Sequence, residues 1–271
     1  MENNLNLQDV RALVIDMDGV LWRGDMPLPG LVEFFDFLHR RPIPFMLATN
    51  NARKTPGQYL DRFAGFGVTI KSENVMTSSL ATALYLQNEL EPGSPVYVVG
   101  EEGLQDAMRS AGFVLLEDAG RPAAAVVAGI DFTLTYDKLK DAALHIQRGA
   151  RFVGTNGDLT FPAEEGFYPG AGSVLAAIQA ATGVEPITVG KPGRLMFDIA
   201  VQRLGSVPAH TAMLGDRLET DILGGQRAGL KTILVTTGVD NEDTVREKGI
   251  QPDAIFSGID ALTKHWANTL A

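Results

Sequence analysis

Asp16 and Asp18 stand one residue apart at the end of a short apolar run, in Ala-Leu-Val-Ile-Asp-Met-Asp-Gly-Val at residues 12–20. The run Leu13-Val14-Ile15 reads as a buried strand. Such a strand has no use for carboxylates, because an unpaired charge in an apolar setting costs on the order of several kcal/mol. Two of them at its C-terminal end point to a metal or a reacting group, and in open α/β sheets that end is where ligands bind. Taken alone, the same residues also suit a helix cap and a turn.

Three further runs repeat the arrangement. Pro44-Phe45-Met46-Leu47-Ala48 ends in Thr49-Asn50-Asn51, and Ile187-Thr188-Val189-Gly190 ends in Lys191-Pro192. Ala212-Met213-Leu214-Gly215 ends in Asp216, with Asp221 five residues on. If all four strands lie in one parallel sheet, Asp16, Asp18, Thr49, Lys191, Asp216 and Asp221 share one edge. Each later residue has a blander reading by itself: Thr49 as a cap, Lys191 as a surface lysine, and residues 216–221 as a solvated helix start. The ordered repetition is what lifts them.

These residue types suit attack on a phosphate monoester. Asp16 can attack phosphorus and carry the group as an aspartyl-phosphate. Asp18 can protonate the leaving oxygen and then activate water. With Asp216 the pair forms a hard-oxygen site of the kind Mg²⁺ takes, and the ion offsets repulsion between an anionic nucleophile and an anionic substrate. Lys191 adds fixed positive charge, and Thr49 adds a hydroxyl donor for a phosphoryl oxygen. Simple strand geometry puts Asp221 too far along to be a ligand, so it is expected to orient Lys191 or a water on the ion.

The elements that must hold these residues alternate strand and helix. Leu31, Phe34, Phe35 and Leu38 predict a helix over 30–41, Thr55-Pro56 opens another to about 63, and a third spans 78–90. Such alternation implies parallel strands covered by helices on both faces. Between Thr49 and Lys191 lies a second alternating set: strands at 96–99, 123–128 and 151–154, with helices at 102–111, 136–148 and 171–181. The expected organisation is therefore an α/β core, doubly wound and Rossmann-like, formed by 1–91 and 185–271, with an α/β domain inserted at 92–184. Pro92-Gly93 and Gly183–Pro186 are its hinges, and the core resumes with strands at 187–190, 212–215, 232–235 and 254–256. Gly190-Lys191-Pro192-Gly193 lacks the spacing of a P-loop. Gly170-Ala171-Gly172 lacks the third glycine of a dinucleotide fingerprint and reads as a tight turn.

Composition bounds the rest. The chain has 271 residues, 45% hydrophobic and 21% charged, long enough for one large or two modest domains. With 23 Lys plus Arg against 33 Asp plus Glu, the formal charge is −10, which argues against nucleic acid or an anionic membrane as the main partner. There is no cysteine, so disulfides, thiol catalysis and Cys-ligated metals are excluded. The first four residues carry neither a basic patch nor an apolar segment, and no run is long enough to span a membrane, so the expected location is the cytoplasm. His39, His145, His210 and His265 show no metal or triad spacing and are expected to be structural or surface residues.

Asp16-Met-Asp18-Gly-Val, Thr49-Asn-Asn, Lys191-Pro and Gly215-Asp216-Arg-Leu-Glu-Thr-Asp221 together resemble the four motifs of the haloacid dehalogenase superfamily. Their order and intervals are similar to its class II-A phosphatases, the NagD-like group that includes pyridoxal phosphate and phosphoglycolate phosphatases. The likeness extends to Trp22-Arg23-Gly24, Gly154–Asp158 and Pro169–Ser173; where the family often has proline, this chain has Gly157. The resemblance implies a Rossmann-like core with an α/β cap inserted between the second and third motifs. It implies Mg²⁺ held by the Asp16 carboxylate, the Asp18 backbone carbonyl and Asp216. It makes Asp16 the nucleophile, Asp18 the acid and base, Thr49 with Asn50 the phosphate holders, and Lys191 the neutralising charge. Dehalogenases of the superfamily lack the second acidic residue and related ATPases have threonine there, so Asp18 favours transfer to water.

Asn156 and Asp158, just past the strand at 151–154, are the expected specificity residues of the cap. The implied substrate is a small phosphorylated metabolite, such as a sugar phosphate, a nucleotide, pyridoxal phosphate or phosphoglycolate. The resemblance also leaves open a homodimer through the cap. Two alternatives stay open: a phosphotransferase or mutase using the same intermediate, and a catalytically idle metabolite-binding module.

Overall fold

Two parallel sheets, each with its own apolar core, carry the candidate site residues. The computed structural model describes residues 5–163 and 165–269; residues 1–4, read above for a leader, lie outside them. One compact unit comprises residues 1–49, 56–76 and 197–271, and the other 50–55 and 77–196. The second is wider than 92–184, so Pro92-Gly93 and Gly183–Pro186 fall inside it.

The first unit is built on a six-stranded sheet in the order Ala254–Phe256, Lys231–Val235, Thr211–Gly215, Ala12–Ile15, Phe45–Thr49, Val75–Thr77. Ala12–Ile15 runs parallel to both of its neighbours, so Ile15 is in register with Leu214 on one side and Leu47 on the other. This register brings the ends of three strands level and fixes where Asp16, Thr49 and Asp216 begin. The strand is buried along its whole length, as expected of a parallel strand covered on both faces. One face is packed by helices Leu31–Arg40, Pro56–Gly65 and Ile259–Thr269, which supply Phe34, Phe35, Phe63 and Trp266 to one continuous core. Within it Phe63 meets Trp22 edge-on at 5.2 Å and Phe35 at 5.4 Å, ring contacts that add to area burial.

The second unit has a five-stranded sheet in the order Ile187–Thr188, Arg151–Gly154, Ala125–Ala128, Pro95–Val99, Val114–Leu116, with every pairing parallel. Its core joins Val99, Val126 and Phe152 to Ile146, Val174 and Ile178 from helices Tyr136–Gln147 and Ala171–Thr182. Ile187–Thr188 therefore corrects the expectation that the first sheet resumes at 187. The segment pairs with Arg151–Gly154, Ile187 opposite Val153, so its short apolar run completes the second sheet.

Short strands at Trp22–Arg23 and Met26–Pro27, and at Thr160–Ala163 and Gly166–Pro169, form hairpins that the apolar pattern does not announce. Gly170 caps the helix Ala171–Thr182 as a turn residue. The histidines serve local packing: His145 is buried beside Tyr97 and accepts from the Ala123 amide, and His210 meets the Asp9 carbonyl.

Phe63→Ala removes a ring that two other aromatics pack against. It should lower the unfolding free energy by about 3–5 kcal/mol, read as a shift of the urea midpoint. A loss below about 1 kcal/mol would mean that the aromatic cluster does not hold this unit together.

Candidate active site

Asp16 follows directly on the strand Ala12–Ile15, where its amide donates to the Leu214 carbonyl at 2.8 Å and locks it beside the end of the neighbouring strand. Asp216 follows Thr211–Gly215 in the same way. The chain then turns through a single π-helical turn, Leu218–Ile222, that brings Asp221 back: its amide donates to Arg217 and its carboxylate accepts from the Arg217 amide at 3.1 Å. One carboxylate oxygen from each of Asp16, Asp216 and Asp221 then lies within 4.8 Å of the others. Asp221 thus lies nearer the other two than simple strand geometry suggests, because the wide turn folds the chain back by one residue more than an α-helical turn would.

The room for this cluster comes from missing side chains. Gly19 has φ +85°, and a Cβ there would sit 2.4 Å from Asp216 Oδ2. A Cβ on Gly238 would sit 1.8 Å from the same atom, and one on Gly215 would strike Asp221 at 2.3 Å. Asp216 Oδ2 also accepts from the Val239 amide at 2.8 Å. A further clamp fixes the turn that carries Asp221. Buried Asp240 accepts from the Leu218 amide at 2.8 Å and from Lys248 at 2.9 Å. Burial raises the Asp240 carboxyl, but the Leu218 amide, Lys248 and Thr244 outweigh it and hold the group below its usual range.

Asp216 and Asp221 are each 1% exposed and Asp16 is 9% exposed, so solvent does little to screen them. Two like charges 4.8 Å apart repel by about 3–4 kcal/mol at an effective dielectric near 20. Three oxygen donors at that spacing, with hard carboxylate chemistry and a cradle kept open by glycines, fit a small divalent cation. Asp18 is exposed, and its carboxylate accepts from the Trp22 indole at 2.7 Å instead of joining the three. Thr49 is buried at the end of Phe45–Thr49, beside Tyr59. Burial pushes the Tyr59 hydroxyl well above its ordinary value, Asp18 and Asp16 add to this, and a side-chain hydrogen bond with Thr49 offsets part of it. Tyr59 thus stays a neutral phenol that can only steer its neighbours through hydrogen bonds.

The other named residues gather in the second unit around the Asn50 side chain. Its Nδ2 donates to Asp158 Oδ2 at 3.0 Å and to the Lys191 carbonyl at 2.8 Å, while its Oδ1 accepts from the Lys191 amide at 2.9 Å. Asn156 Nδ2 donates to the Asn50 carbonyl at 2.8 Å, and Asn156 Oδ1 accepts from the Asp158 amide. Gly190 is required here, since a Cβ would lie 2.7 Å from Asn50 Oδ1. Lys191 is 2% exposed, far from the surface lysine that its lone occurrence suggests. Trp22 and Tyr59 are the neighbours of the site that residue types did not single out for chemistry. Tyr59 could have been found from its place one helical turn into the segment after Thr49-Asn50-Asn51.

Known proteins resemble this chain over most of its length. Residues 13–114 match the family described as haloacid dehalogenase-like hydrolase, and residues 188–262 match a second described as HAD-hydrolase-like. The chain is 34% identical to the acid sugar phosphatase of Staphylococcus saprophyticus, over 95% of this chain and 98% of that protein. It is 36% identical to the 5'-nucleotidase YutF of Bacillus subtilis, again over 95% and 98%. Among solved structures, NagD from E. coli K-12 superposes with a TM-score of 0.85 at 33% identity, covering 92% of this chain and 97% of that one.

Asn50→Ala should strip the Lys191 amide of its acceptor. Its hydrogen exchange should speed up about 5–150-fold, the equivalent of losing a buried hydrogen bond worth about 1–3 kcal/mol. Unchanged protection at Lys191 would show that Asn50 does not set the position of that segment.

Proposed function

We propose how a chain that belongs to the haloacid dehalogenase-like hydrolases, and within them to the NagD-like phosphatases, carries out its reaction. The protein is a phosphoric monoester hydrolase. The observation that carries the mechanism is the meeting of Asp16 and Asp216, at the ends of adjacent parallel strands, with Asp221 on the turn that follows. The residues assigned to the metal are the Asp16 and Asp216 carboxylates and the Asp18 backbone carbonyl, with Asp221 completing or supporting the set. Mg²⁺ bound there supplies positive charge that offsets repulsion between nucleophile and phosphate.

Asp16 attacks phosphorus as the bond to the leaving oxygen breaks, and Asp18 gives that oxygen a proton. Asp18, now ionised, takes a proton from a water that attacks the aspartyl-phosphate, which frees Asp16 and releases inorganic phosphate. Thr49 and Asn50 hold phosphoryl oxygens and Lys191 balances their charge. The substrate is a small phosphorylated metabolite. Similarity to proteins named acid sugar phosphatase and 5'-nucleotidase favours a sugar phosphate or a nucleotide. Residues 92–184 serve as the cap, with Asn156 and Asp158 influencing which substrate is accepted.

Phosphate release from a panel of phosphorylated metabolites should require Mg²⁺, stop with EDTA, and vanish in Asp16→Asn, whose amide keeps the shape but is a poor nucleophile. Near wild-type turnover in that variant, with deamidation excluded by mass, would overturn the mechanism. Mg²⁺ at about a hundred times its Kd should also stabilise the wild type by about 2.7 kcal/mol, read as a rise in melting temperature. Gly238→Ala, which drives a methyl group into Asp216, should abolish that rise; a full rise in the variant would place the ion elsewhere.

A further inference from the structure

Trp22 is fully buried, yet its one polar atom reaches an exposed carboxylate: Nε1 donates to Asp18 Oδ1 at 2.7 Å. The backbone between them is a tight loop that brings residue 22 back over residue 18. The Leu21 amide donates to the Met17 carbonyl at 2.8 Å, and the Gly19 amide donates to the Trp22 carbonyl at 2.8 Å. The indole itself is gripped from several sides. Phe63 meets it edge-on at 5.2 Å, Tyr59 stacks at 6.4 Å with 19° between planes, and Phe66 lies at 6.0 Å. The Arg62 guanidinium covers the ring at 4.3 Å and donates to the Gly24 carbonyl, at the far end of the same loop.

A ring held this way cannot follow a moving partner. Of the pair only Asp18 is exposed, so without the indole its side chain has the wider choice of staggered rotamers. Indole N–H is a donor only, so it accepts nothing from a protonated carboxyl and engages whichever oxygen lacks the proton. We infer that Trp22 is a positioning residue for the acid–base step: it ties down Asp18 Oδ1 and so makes Oδ2 the oxygen that carries the proton. Resting on the role proposed for Asp18, the inference adds the group that orients it. In the first half-reaction the Oδ2–H bond breaks and the proton passes to the leaving oxygen as the P–O bond opens. In the second, Oδ2 takes a proton from the attacking water. Oδ1 keeps the indole hydrogen bond throughout, so the carboxyl need not turn between the two halves.

Leaving-group dependence tests this, because proton donation matters most when the departing oxygen is a poor leaving group. Wild type, Trp22→Phe and Asp18→Asn are compared on p-nitrophenyl phosphate, phenyl phosphate and glucose 6-phosphate at saturating Mg²⁺. Trp22→Phe keeps an aromatic ring in the clamp but loses the N–H. It should lower kcat/KM, which reads the first half-reaction and not the shared hydrolysis of the aspartyl-phosphate, about 10–100-fold on glucose 6-phosphate, with an intermediate loss on phenyl phosphate and less than about threefold on p-nitrophenyl phosphate. A 3-benzothienylalanine placed at position 22, the same shape as tryptophan without the donor, should give the same graded pattern and guards against a packing defect in the phenylalanine variant. Equal losses on all three substrates, or none, in the benzothienyl protein would overturn the inference while leaving the role of Asp18 intact, provided Asp18→Asn itself is graded. If the kcat/KM loss in Asp18→Asn is flat across the three, the acid role of Asp18 falls and the part given to Trp22 falls with it.

Discussion

Mutual repulsion among three buried carboxylates is the constraint on which the first unit depends. Asp16, Asp216 and Asp221 come within 4.8 Å of one another where water is largely excluded. The fold must impose such a cluster, and a bound cation would relieve it. The fold imposes it by register. Parallel pairing of Ala12–Ile15 with Thr211–Gly215 sets the two strand ends level, and a π-helical turn clamped by Asp240 and Lys248 returns Asp221 to them. Gly19, Gly215 and Gly238 keep the space that any Cβ would fill.

The second unit solves a different problem with neutral groups. Asn50 uses both ends of its amide to bind the backbone of Lys191 on both sides of that residue, and Asn156 binds the Asn50 carbonyl. Hydrogen bonds of this kind fix a lysine's backbone without neutralising its charge. The peptide between Thr49 and Asn50 is also where the chain passes from one unit to the other.

Much of this was legible in the residues because parallel sheets make simple patterns. Short apolar runs ending in a polar residue put Asp16, Thr49 and Asp216 at strand ends, where the structure has them, and helices over Leu31–Arg40, Tyr136–Gln147 and Ala171–Thr182 were likewise legible. The run at Ile187 misled about its sheet because an edge strand looks the same whichever sheet it joins; only pairing with Arg151–Gly154 decides. The nearness of Asp221 is not legible because a π turn leaves no mark in hydrophobic periodicity. Trp22 and Tyr59 are buried core aromatics whose polar atoms meet Asp18 and Thr49 through contacts that no spacing rule encodes.

The most direct test of the account is to look for the covalent intermediate. Protein turning over a good substrate with Mg²⁺ is quenched in acid within milliseconds, digested and examined by mass spectrometry. A phosphoryl group on the peptide containing Asp16, labile to hydroxylamine and missing from Asp16→Asn, is the predicted result. Turnover with no phosphorylated peptide at any quench time, or with the group on another residue, would contradict the assignment of Asp16 as nucleophile.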